Sequence, residues 1–170
     1  MAGLANRVGS NLWVIPIACF TIAEALLIAV AFWFDDPILL VSVKPELRKD
    51  IYSSVTGSSS GLLGFCLAAV AILAAFAPKR DDRPAARRHE REMAEARSDI
   101  AKCLLVTSLF LVIILGFSTV GIGADVREQG NVAIAGTVTA AGLAAIGGIL
   151  ISGLGVTLSI LERSQNDAGR

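Results

Sequence analysis

Charge is scarce in this sequence. Only 18% of its 170 residues are Asp, Glu, Lys or Arg, against 54% hydrophobic residues, and the formal net charge is zero. Soluble domains carry about 25% charge, so the deficit argues against one. The zero balance removes any global attraction to nucleic acid. Histidine occurs once, as His89 in a charged stretch, and it has no neighbours with metal-ligand spacing. The three cysteines, Cys19, Cys66 and Cys103, fall in or beside different apolar runs without a CxxC, and they read as reduced, buried thiols. No Trp or Tyr follows Tyr52, which argues against an aromatic cage for a cation in the later helices. With the apolar runs set aside, no segment is long enough to build a soluble core. We therefore expect neither an enzyme domain nor a cofactor, metal or catalytic residue.

What the sequence does have is long apolar runs. Residues 12–34 are apolar throughout, bracketed by Trp13 and Trp33, with one ionisable side chain, Glu24, near the centre. At the helical rise the two indoles stand about 30 Å apart, close to the hydrocarbon thickness of a bilayer. Length, Pro16 and Glu24 set this run apart from a signal peptide despite Ala29-Val30-Ala31. Further runs span residues 58–77, 103–122 and 132–161. The expected fold class is all-α, a single polytopic membrane domain with four transmembrane helices and a cytoplasmic helical extension over residues 79–102. The first helix should end at Asp35-Asp36-Pro37. Residues 38–43 form a β-branched run at the interface or at a partner's edge, and helical pattern resumes at Ile51.

Small residues recur at helical spacing. In the second run Ser60, Gly64 and Ala68 are four apart; in the fourth, Gly136, Ala140, Ala144, Gly148 and Ser152 continue the same interval. Such rows let another helix backbone approach closely, so Gly64, Ala68 and the fourth-run residues are packing candidates. The fourth run, about 45 Å long as a helix, must tilt or kink at Gly147-Gly148 to fit a bilayer.

Residues 79–102 are the one strongly charged stretch. Pro84 supplies a helix start, and the register continues without a breaker into the third run. The first half is basic, with Arg83, Arg87, Arg88 and Arg91; the second half is acidic. Eleven of the fifteen Lys and Arg lie in the N-terminus, this connector and the C-terminal tail. That asymmetry places both termini in the cytoplasm, on the reading of a bacterial inner membrane.

Glu24 and the arginines carry the functional expectations. A carboxyl group near the bilayer midplane must be neutralised, partnered or hydrated, and such groups mark ion pathways by default. In a homo-oligomer, copies of Glu24 would form a ring or a pair that selects cations or closes a path, with Thr21 and Ile28 on the same helix face. The plainer alternative is a hydrogen bond from Glu24 to a neighbouring helix. Arg83, Arg87, Arg88 and Arg91, repeated around an axis, would hold a polyanion such as an anionic nucleotide or oligonucleotide. The headgroups of membrane lipids would serve the same arginines.

Two resemblances add to this. The first run, with Ala23-Glu24, resembles the first helix of the small multidrug resistance family, which implies proton-coupled exchange of a small molecule or cation. Tyr52-Ser53-Ser54 through Leu62-Leu63-Gly64-Phe65, the alanine-rich span after it and the charged connector loosely resemble small four-span membrane effectors of bacterial antiphage nucleotide-signalling systems. That likeness implies a ligand-gated homo-oligomeric pore. A scaffold subunit docked on another membrane protein through the small-residue rows is a further expectation.

Overall fold

The computed structural model describes residues 12–33, 40–75, 84–125 and 127–168. They form four helices: α1 (Val14–Trp33), α2 (Pro45–Ala75), α3 (Pro84–Ala124) and α4 (Val132–Ala168). There is no strand among the described residues. The stop at Asp35-Asp36-Pro37 lies outside them, and so do residues 38 and 39 of the β-branched run. The described remainder of that run, residues 40–43, is turn and bend.

Local chemistry sets the helix starts. The Leu12 carbonyl accepts the Ile15 N–H at 3.2 Å, and Pro16 sits in the first turn of α1, where an N–H has no intrahelical acceptor. α2 begins at Pro45, six residues before the resumption at Ile51 expected from the sequence. Proline occupies the first helical position, Glu46 complements the positive end of the helix dipole, and the Lys44 carbonyl accepts the Arg48 N–H at 3.0 Å. The charged segment Glu46–Asp50 is thus helix. α3 is continuous over 41 residues, so the connector from Pro84 onward and the third apolar run are one rod about 60 Å long. At α4, the Asn131 side-chain oxygen accepts the Ala133 and Ile134 N–H groups at 3.0 and 3.5 Å, an N-cap.

Three helical stretches are long and apolar enough to cross a membrane: Pro45–Ala75, Arg97–Ala124 and Val132–Thr157. Val14–Val30 is a shorter apolar helix. Side-chain placement agrees with an apolar solvent. The interior of α4 is lined by Ala140, Ala141 and Ala144, all fully buried, while Leu143, Ile146, Leu150 and Leu154 face outward. Several hydroxyls inside the helices bond back to their own backbone: Thr56 donates to the Tyr52 carbonyl, Thr107 to Cys103 and Ser108 to Leu104, each at 2.8 Å. Such bonds satisfy polar groups without water.

The helices are arranged in space as α2, α3, α4, α1. α2 packs on α3 and α3 on α4, while α1 packs on α4 and touches α3 lightly. α2 touches neither α1 nor α4. Only 11% of the apolar stretch of α2 is buried, against 44% for α3 and 50% for α4, so α2 is peripheral, as is α1, in which only Pro16 and Ala23 are buried among the described side chains.

Candidate functional site

α1 is seated by Pro16, Cys19, Phe20 and Ala23. The Phe20 and Phe110 rings stack with centroids 5.1 Å apart. Pro16 Cγ and Thr107 bracket the place where a Cβ on Gly148 would lie, and Cys19 Sγ is 3.6 Å from the corresponding point at Gly147. Glycine here lets α1 and α3 approach the α4 backbone. Glu24 lies one turn beyond Phe20, half-buried at the edge of this contact. Its carboxylate has no hydrogen bond or ion pair among the described residues. Thr21 and Ile28 share its flank and are exposed, and the Thr21 hydroxyl donates to the Ala18 carbonyl at 3.0 Å. Lys102, the nearest thing to a counter-ion that the sequence offers, pairs instead with Asp99 on its own helix at 3.2 Å.

The small-residue rows separate. Gly136, Ala140, Ala144, Gly148 and Ser152 are all buried within the chain. Gly64 and Ala68 are exposed. A Cβ added at Gly57, Gly61 or Gly64 would meet nothing within 4 Å. Ser54, Ser58, Gly61 and Ala68 lie with them on the face of α2 turned away from α3, opposite the buried Tyr52, Ser59 and Cys66. Arg83 lies outside the described residues, and so do the side chains of Arg87, Arg88 and Arg91.

A second polar centre was not anticipated from the sequence. Arg48, 1% exposed, is enclosed where the turn before α2 meets the α3–α4 turn. Its Nη1 donates to the carbonyls of Val41, Val43 and Glu128 at 3.0, 2.9 and 3.3 Å, and Nη2 donates to the Arg127 carbonyl. Its Nε lies 3.4 Å from Asp125 Oδ2. Asp125 also accepts the Tyr52 hydroxyl at 3.3 Å and, through Oδ1, the Asn131 N–H at 3.0 Å. The carboxylate stands at the C-terminal end of α3, where the helix dipole disfavours negative charge, and the guanidinium offsets that. Glycine makes the enclosure possible. A Cβ at Gly130 would come within 2.8 Å of Arg48 Nη1, and one at Gly121 within 2.8 Å of the Tyr52 ring. A clue was present in the sequence: Arg48 and Tyr52 are four apart behind a proline at a helix start, and Asp125 follows Gly121 by the same interval.

All three cysteines are free; Cys66 and Cys103 are buried and Cys19 is half-buried. Among the described residues no group of His, Cys, Asp and Glu is placed to hold a metal ion. No protein-family model, curated protein or solved structure matches the chain.

Proposed function

We propose that this chain is an integral membrane protein whose copies assemble into an ion-conducting pore, with Glu24 governing passage. One observation carries the reading: Glu24 and the serines on the outer face of α2 are polar groups of apolar helices that the chain does not fully cover, whereas Ser59, Thr107, Ser108, Ser118 and Ser152 are buried within it. Glu24 has no partner among the described residues, and the face of α2 bearing Ser54, Ser58, Gly57 and Gly61 is open. A carboxylate facing hydrocarbon costs several kcal/mol, so water or a second chain must meet it. A pore between chains supplies both. In the same reading both termini are cytoplasmic, and the arginine-rich turns at the start of α3 meet an anionic nucleotide-type ligand or lipid headgroups at the inner face.

The test is cation flux into vesicles reconstituted with purified protein. Glu24→Gln keeps the size of the side chain and removes its charge, so assembly should persist while flux or its cation selectivity changes at least tenfold. Equal flux and equal selectivity from the two proteins would exclude Glu24 from the path. Flux that is stoichiometric with proton movement in the opposite direction would replace the pore by an exchanger.

A further inference from the structure

Among the described residues, the Arg48 centre is where α2 is tied to something besides the flank of α3. Along its length α2 packs on α3 alone among the helices, with Tyr52, Ser59 and Cys66 buried and Val55, Leu63, Ala69, Val70 and Leu73 partly so. At its first turn Arg48 reaches across to backbone carbonyls on the α3–α4 turn and to Asp125. The Gly130 N–H returns a bond to the Val41 carbonyl at 3.2 Å, drawing the turn before α2 into the same junction. Asp125 also accepts the Asn131 N–H at the start of α4, but the packing of α1 on α3 and α4 uses none of these groups. It rests on Phe20 with Phe110 and on Pro16 and Thr107 against Gly148.

We propose that Arg48, Tyr52 and Asp125 form a latch that pins the first turns of α2 to the α3–α4 turn, and that α2 is the helix that moves when the latch opens. The chemistry makes the junction two-state. A buried guanidinium is stable with its acceptors in place, but with one charge lost the other is stranded away from water. It then has to hydrate, and hydration requires the end of α2 to leave its seat. In the closed arrangement Arg48 Nε has only the 3.4 Å ion pair with Asp125; intermediate positions would leave the Nη donors unmet as well, so the arrangement is closed or open rather than graded. α2 can leave without disturbing α1 or α4 because it touches neither. The proposal does not depend on the pore reading.

Spin-label distances in lipid nanodiscs test it. Labels replace exposed Ser54 on α2 and exposed Leu143 on α4, with exposed Val120 on α3 and Leu143 as the reference pair, in a chain whose three native cysteines are changed to alanine. Dilution with unlabelled protein keeps the distances within one chain. Asp125→Asn removes the carboxylate charge. Gly130→Ala leaves every charge in place and drives a methyl group against Arg48, so it serves where the first variant fails to fold. In both, the α2–α4 distance should lengthen by about 5 Å, the scale of one helical turn, in at least half of the molecules, while the reference distance stays fixed. No change in either pair would overturn the latch. So would equal broadening of both pairs, because the junction would then be a support for the whole fold and not a tie on one helix.

Discussion

At the level of single residues, the close contacts in this fold are made where glycine meets a polar or rigid side chain, and Gly148 is the clearest case. A methyl group there would land on the Thr107 hydroxyl and come within 3.2 Å of Pro16 Cγ, at the point where α1, α3 and α4 meet. Gly148→Ala should therefore destabilise the folded chain by about 1–3 kcal/mol, the usual cost of overpacking, read from unfolding in mixed micelles. Because the nearest atom belongs to Thr107, the double variant with Thr107→Ala should recover part of that loss. Strict additivity of the two changes would show that the clash is relieved elsewhere. Sequence spacing placed Gly148 in a packing row without naming what it packs against. Thr107 and Pro16 come from two other helices, and no local pattern encodes that meeting.

At the level of elements, the helices were legible and one boundary was not. Apolar runs of this length have few alternatives, and Pro84 marks the start of α3 as its chemistry requires. α2 was misjudged at its beginning because Glu46-Leu47-Arg48-Lys49-Asp50 has the composition of a loop. Composition does not show that Arg48 turns inward. Its partner Asp125 lies in another loop-like segment, and Tyr52, which shares that carboxylate, is 73 positions away from it. Pairing over such a separation is a property of topology. The two faces of α2 make a separate prediction. Gly61 is surrounded by open space, so Gly61→Leu should leave the stability of the isolated chain within about 0.5 kcal/mol, as is usual for surface changes. The same change should alter assembly if this face is an interface between copies. An unchanged oligomer mass for Gly61→Leu would move the interface off α2.

At the level of the whole molecule, the order α2, α3, α4, α1 bears directly on the proposed pore. The two end helices of that row do not touch, so one chain does not close around a lumen. The half-buried Glu24 lies on one end helix, and the open serine and glycine face lies on the other, turned away from α3. In the proposed pore a continuous polar path would be built between chains, because irregular or polar surface at membrane depth is tolerated where protein or water covers it. Light scattering on the protein purified in mild detergent decides the matter. A mass of four or more chains fits a central pore. Two chains fit paired Glu24 carboxyls and favour exchange across a dimer. A single chain that still supports ion flux in vesicles would overturn the inference from topology, since the path would then run through a surface that the fold leaves facing lipid.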